Sequence, residues 1–321
     1  MNTVVPRPGR GPGHEEGHHR AVPDRSANGA AHTLAAGEYR ATVFSSGAAL
    51  GALTWRGTDL VLPVPASGIP AAYEGKTLVP WPNRIADGRY GFGGETHELP
   101  VNEHATHSAL HGLACWVDWE AVELSPGEAR FRTSLLPRYG YPFHLVSEVR
   151  YRLAADRGLA VEITSTNVGD APAPYGASSH PYLTCGLAPV DECALQVPAG
   201  RVVTVDERLL PTGTVPVEEA GLDFRQARTV GPQQIDHAFG ALPDEAWEVV
   251  LHHPGTGLST RLTAAAPWLQ VYSGDKVGRR GLAVEPMTCP PDAFNSGTDL
   301  LVLRPGQSHA LSFGIRASAD G

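Results

Sequence analysis

The chain has 321 residues, 42 % of them hydrophobic, and a formal net charge of −9. That composition supplies a substantial core, while the acidic balance argues against nucleic acid, which needs a basic face. No stretch approaches the ~20 apolar residues that cross a bilayer, and the N-terminus lacks the apolar run of a secretory signal. The expected setting is cytoplasmic, with no membrane partner.

In chain order, residues 1–31 come first and are set apart by Pro, Gly, Arg and His. So few large apolar residues cannot offset the entropy of ordering, and a disordered tail is expected. His14, His18 and His19 fall in it and read as solvated side chains. Residues 32–318 then read as one domain, with no linker between them. Tyr39 to Phe44 and Ala129 to Leu135 are short strand-like runs. Leu145 to Leu153 and Gly158 to Thr166 both alternate with period two, and Ala154 to Gly158 between them predicts a turn. Further runs follow at Trp247 to His252, Ser259 to Leu262, Leu269 to Tyr272 and His309 to Ile315.

With 36 glycines and 28 prolines, long helices have little room. No repeat of about 40 to 50 residues suggests a propeller. The expected fold is therefore all-β, a large antiparallel sandwich. Cys115, Cys185, Cys193 and Cys289 form no Cys-x-x-Cys pair and no zinc spacing, so they read as buried, reduced thiols.

Five segments carry candidate chemistry. In Pro80-Trp81-Pro82-Asn83-Arg84-Ile85, Asn83 and Arg84 supply donors and an acceptor for sugar hydroxyls, and Trp81 offers a flat apolar face. An ion-pair role for Arg84 is equally open. His104, His107 and His111 are spaced by three and four residues, which would align ligands only on a helix; the surrounding Ser, Thr, Asn and Gly read as loop. No metal site is expected. Of the three, His111 is the candidate site histidine, before Gly112 where backbone can approach a ligand closely; a loop histidine that bonds the backbone is equally open. Pro181 biases His180 to an extended conformation, consistent with a strand end presenting its ring to a cleft; a structural histidine is equally open. Asp236 can accept two sugar hydroxyls, or merely occupy a turn. Glu285 ends a run of Leu, Ala and Val, where partial desolvation would raise its pKa toward general-base strength.

Taken together, Asn83-Arg84, Leu110-His111-Gly112, His180-Pro181-Tyr182, Asp236-His237-x-Phe239 and Glu285-Pro286 resemble the aldose 1-epimerase (mutarotase) family, in that order. Pro291 to Asn295 and Arg304 to Gln307 fit as well, so the resemblance spans about Tyr39 to Ile315. It implies a sandwich with an open sugar cleft. Glu285 would be the base at the C1 hydroxyl and His180 the acid at the ring oxygen. His111 would orient the ring-oxygen side, Arg84 and Asp236 would hold hydroxyls, and Asn83 would support Arg84. The implied chemistry uses no metal, nucleotide or other cofactor, and its partner is a small-molecule sugar, in a monomer or homodimer.

Ser179 and Met287 stand where galactose-type members usually carry Asn and Gln, which leaves the preferred sugar open. The segments Pro80 to Gly88, Asn102-Glu103 and His111 to Trp116 are more similar to a bacterial subgroup near the sulfoquinovose-operon mutarotases. Lys276, Arg279 and Arg280 precede Glu285 and would suit a sulfonate or phosphate, unless they are a solvated turn. The rival reading is a non-catalytic sugar-binding or regulatory protein on the same fold, which would be expected to lose the acid or the base. Hydrolysis would want two carboxylates about 5–10 Å apart; only Glu285 is clearly placed, with Asp236 as the candidate second.

Overall fold

The structure is a computed structural model that describes residues 26–65 and 67–319. Its described elements are almost all strands, joined by tight turns; a single α-helix, Ala293–Ser296, spans four residues. None of the helices is long and apolar enough to cross a membrane.

Two antiparallel sheets dominate. The larger has nine strands, in the order Glu120–Ser125, Glu128–Leu135, Leu145–Ala154, Gly158–Asn167, Ser308–Ala319, Leu258–Ala264, Trp247–His253, Ala194–Gln196 and Arg228–Thr229. Its third and fourth strands are the hairpin expected from the alternating pattern, with Leu145 opposite Asn167 and Ala154 opposite Gly158. Period-two geometry sends Leu145, Val149, Tyr151 and Leu153 inward and the residues between them outward. The other strand-like runs also fold as strands, each within two residues of its expected start.

The second sheet has eight strands. Seven follow in the order Pro211–Pro216, Arg201–Val205, Asp236–Gly240, Trp268–Tyr272, Leu282–Met287, Ser178–Ser179 and Thr77–Leu78, and Tyr182–Leu183 adds to Leu282–Met287. Four further strands, Ala31–Ala36, Tyr39–Phe44, Ala49–Trp55 and Thr58–Asp59, form a separate sheet.

One apolar core joins the layers. Phe131, Tyr151, Ile163, Leu251 and Phe313 from the nine-stranded sheet share it with Val202, Phe239, Leu269, Val271, Leu282 and Val284 from the eight-stranded one. Burying each such side chain contributes about 1.5–3 kcal/mol. The alternation that commits Leu269, Val271, Leu282 and Val284 to the core turns Gln270 and Glu285 to the opposite face. That opposite face is the floor of the functional site.

The tail expected over residues 1–31 lies outside the described residues up to position 25. Its last part is packed rather than loose. Asn28 is buried and donates to the Pro65 and Gly68 carbonyls at 3.0 and 2.9 Å, and the first strand starts at Ala31. Polar anchoring of the backbone, invisible to a hydrophobicity argument, sets this boundary.

Candidate active site

Glu285 lies directly opposite Gln270 across the ladder between adjacent strands, and Asp236 sits one strand further on the same face. The Gln270 amide donates to Asp236 Oδ1 at 2.7 Å. His180 arrives from the other side, at the end of the short strand Ser178–Ser179. Its backbone is clamped in the extended form that Pro181 favours. His180 N–H donates to Lys76 O at 3.0 Å, and His180 O accepts from Gly75 N–H at 2.8 Å.

The Asn83–Arg84 and His111 segments grip each other. Asn83 adopts φ 54° and His111 φ 64°, a left-handed backbone that Asn and His tolerate better than most residues. His111 N–H donates to Asn83 O at 2.9 Å, and Asn83 N–H donates to His111 Nδ1 at 3.2 Å. Because Nδ1 accepts, the proton of the neutral imidazole is on Nε2. Gly112 follows at φ 76°, where a Cβ would stand 2.3 Å from Val79 O. The close approach expected at this glycine is therefore made to Val79, not to a ligand.

These segments converge on a pocket of about 310 Å³, within the small-molecule range. All six candidates read from the sequence line it: Asn83, Arg84, His111, His180, Asp236 and Glu285. His180 Nε2 lies 3.4 Å from Glu285 Oε1. Both side chains are almost fully buried, and His180 Nδ1, Glu285 Oε2 and Gln270 Oε1 find no hydrogen-bond partner among the described residues. Burial pushes Glu285 well above the usual 4.5, Asp236 adds to this, and Arg84 opposes it. Burial likewise lowers His180 to about 3, with Lys276 contributing in the same sense. His111 is held neutral by burial first and then by His180, Arg84 and Lys276.

Burial thus gives a His180–Glu285 pair in which both groups are biased toward their neutral forms. It can take a proton from one oxygen and give one to another.

Arg84 makes the ion pair that its sequence left open, and it also lines the pocket. Its guanidinium donates to Glu103 through Nε at 2.6 Å and through Nη2 at 3.0 Å, while Nη2 stands 4.0 Å from Asp236 Oδ2. Burial pushes the Glu103 carboxyl up, but Arg84 and the Thr106 hydroxyl more than offset this and hold it below 4.5. The fork is thus fixed and largely neutralised before any ligand enters.

His111, His180 and Glu285 bring ligand atoms within 4.8 Å of one another, a cluster that invites a metal ion. The donor set does not fit one. A neutral His111 whose Nδ1 accepts Asn83 N–H presents a proton, not a lone pair, from Nε2. His104 and His107 do not line the pocket.

Some features differ from expectation. Trp81 is buried, donates to Ala109 O at 3.3 Å and packs on Tyr141 and Phe294, so it is core and not a sugar platform. Asp292 Oδ1 accepts from Ala86 N–H, and Arg84 O accepts from Asp292 N–H, so the Pro291-to-Asn295 motif braces the Arg84 strand. Of the three cations before Glu285, only Lys276 lines the pocket. Arg279 is bonded to Asp191, Asp275 and the carbonyls of Gly231 and Gln233.

Gln270, Glu103, Tyr73, Tyr272 and Leu209 also line the pocket. A signal existed for Gln270, a polar residue between Leu269 and Val271 in an apolar strand. Glu103 stands in the Asn102-Glu103 stretch that belongs to the subgroup resemblance, though without a role of its own; Tyr73, Tyr272 and Leu209 carried no signal.

Comparison with known proteins follows this geometry. Residues 31–316 match the Aldose 1-epimerase family. The uncharacterized protein YihR of Escherichia coli K12 is 48 % identical, over 92 % of this chain and 95 % of its own. The aldose 1-epimerase of the same organism is 27 % identical, over 75 % of this chain and 78 % of its own. Among solved structures, the GalM/aldose epimerase homologue from C. elegans superposes with TM-score 0.82 at 22 % identity, covering 91 % of this chain and 99 % of that one. Galactose 1-epimerase from Lactobacillus acidophilus gives 0.77 at 21 %, covering 90 % and 94 %. At those identities the two structures establish the shared fold, a galactose mutarotase-like all-β architecture. On the family match and the fold, the chain belongs to the aldose 1-epimerase family.

Proposed function

We propose that the protein interconverts the α and β anomers of a free aldose by opening and reclosing the sugar ring. The observation that carries this reading is the buried His180–Glu285 pair, with Nε2 and Oε1 3.4 Å apart, at the floor of a sugar-sized pocket. In ring opening, Glu285 takes the proton of the C1 hydroxyl as the C1–O5 bond breaks, and His180 delivers its proton to O5. The C1–O1 bond becomes the aldehyde carbonyl. Rotation about C1–C2 presents the other face, O5 attacks it, and both protons return by the reverse steps.

The catalytic form places the proton on His180. Burial alone favours the neutral pair, and Arg84, which lowers the Glu285 pKa, opposes it. Sugar oxygens bonded to both groups replace the lost hydration and favour the charged arrangement further. His111 Nε2–H is a fixed donor for the ring-oxygen side. Gln270 bonded to Asp236, with Arg84 4.0 Å from that carboxylate, makes a row suited to neighbouring hydroxyls, and Asn83 Oδ1 accepts from Arg84 N–H at 3.0 Å behind it. Such acid–base assistance supplies about 10²–10⁴-fold per positioned group.

Lys276 favours a charged sugar as a second reading of specificity. It stands on the pocket wall while the Arg84 charge is already met by Glu103. This supports the resemblance to the sulfoquinovose-operon subgroup. Exchange NMR on equilibrated glucose, galactose and sulfoquinovose tests both parts. Faster α/β exchange with any of them supports the epimerase, and the fastest names the class. Binding without exchange in all three would move the non-catalytic sugar-binding reading ahead, and release of reducing sugar from a glycoside would point to a hydrolase.

A further inference from the structure

Tyr73 belongs to none of the sequence motifs, yet its ring stands beside both pocket histidines. Its ring lines the pocket, 4.7 Å edge-on from His111 and 6.4 Å from His180, inclined to the latter by only 15°. Tyr182 lies on His180 as well, at 5.0 Å and 11°. The imidazole thus has two nearly parallel phenol rings beside it.

Both rings are tied to one turn. The Tyr182 hydroxyl donates to Ala72 O at 3.0 Å, and Ala72 N–H donates to the Glu74 carboxylate at 2.7 Å. Tyr73 itself has φ 60°, an unfavourable backbone for an aromatic residue, which the surrounding bonds must maintain. The same turn supplies Gly75 N–H and Lys76 O to the His180 backbone. Outside Tyr73, Trp116 stands at 5.4 Å, about half exposed, with the buried Lys76 ammonium 4.8 Å from its ring and donating to Ser46 O at 2.8 Å.

From the surface inward the sequence is indole, phenol, imidazole, phenol. We propose that Tyr73 is a positioning residue that keeps water off the His180 ring and thereby sets how the His180–Glu285 pair holds its proton. The catalytic consequence rests on the epimerase reading; the effect on His180 does not. The titratable and charged groups facing the imidazole are Glu285 from strand Leu282–Met287, His111 after Ser108–Leu110, Tyr73 and Tyr182, with Lys276 acting through its charge. Removing the phenol of Tyr73 admits water to a group that burial now holds neutral.

The test is imidazole NMR of the full chain without sugar, in wild type, Tyr73→Phe, Tyr73→Ala and Tyr73→Asn, with His180→Asn to assign the signal. Asparagine tolerates the left-handed backbone, so Tyr73→Asn separates ring loss from strain, and circular dichroism verifies the fold. Wild type and Tyr73→Phe keep His180 neutral across about pH 5–8. In Tyr73→Ala and Tyr73→Asn its titration moves from about 3 toward 6.5. In an anomerisation assay the acid limb of kcat/KM moves with it, and kcat changes more than KM. A folded Tyr73→Asn whose His180 stays neutral across that range overturns the proposal, as does a Tyr73→Phe variant that behaves like Tyr73→Ala. Because the NMR readout needs no turnover, an inactive wild type would remove the epimerase reading and leave this result standing.

Discussion

The outer face of the nine-stranded sheet and the pocket face of the eight-stranded sheet use charge in opposite ways. On the outer face, Glu128 pairs with Arg150 and Arg152, Arg130 with Glu123 and Glu148, and Glu248 with Arg261 and Arg316. These charges are numerous, partnered and wet, and the hollow among Arg150, Arg152, Arg157 and Arg316 is about 530 Å³. The candidate pocket is smaller, about 310 Å³, and its reactive groups are few, buried and incompletely bonded. Cavity size therefore does not locate the chemistry. Desolvation does, because it gives Glu285 and His180 the proton affinities that solvated side chains lack.

The largest expected effect breaks the buried side of this contrast. Glu285→Gln and His180→Asn each lower kcat/KM for anomerisation by about 10²–10⁴-fold, and the double variant loses much less than the product of the two, because the pair acts as a unit. Next comes the Gln270–Asp236 bond. Gln270→Leu leaves Asp236 without its amide donor and raises KM roughly tenfold, corresponding to about 1–2 kcal/mol of binding, with a smaller change in kcat.

Stability should respond to pH with opposite signs at the two members of the pair. The folded pKa of Glu285 is raised, so its contribution is complete below 4.5 and is lost as pH rises through the raised value. Thermal melts of Glu285→Gln therefore gain on wild type as pH increases. His180 is depressed from 6.5 to about 3, so its contribution is complete above 6.5 and is lost as pH falls. His180→Asn gains on wild type toward acid. Parallel melting curves at every pH would mean that neither group is desolvated as described. The smallest effect belongs to the outer face, where Arg150→Ala changes the melting temperature by no more than about 2 °C and leaves anomerisation untouched.

Much of this was legible in the sequence, for identifiable reasons. Strands such as Leu145–Ala154 announce themselves because one side is buried and the other wet. The six candidate side chains could be named because Pro181, Gly112 and Pro286 mark their segments, and because their order resembles a family. What stayed hidden depends on partners distant in the chain. Glu103 acts through Arg84, Tyr73 through His180 across more than a hundred positions, and Asn28 through Pro65. Trp81 misled because a Trp between prolines looks the same whether it lines a cleft or fills a core.

The most direct test of the central claim is the optical rotation of freshly dissolved α-D-glucose, α-D-galactose and an α-sulfoquinovose preparation, with wild type beside Glu285→Gln and His180→Asn. The account predicts that at least one sugar relaxes faster with wild type and at the spontaneous rate with both variants. Relaxation with either folded variant as fast as with wild type would contradict it.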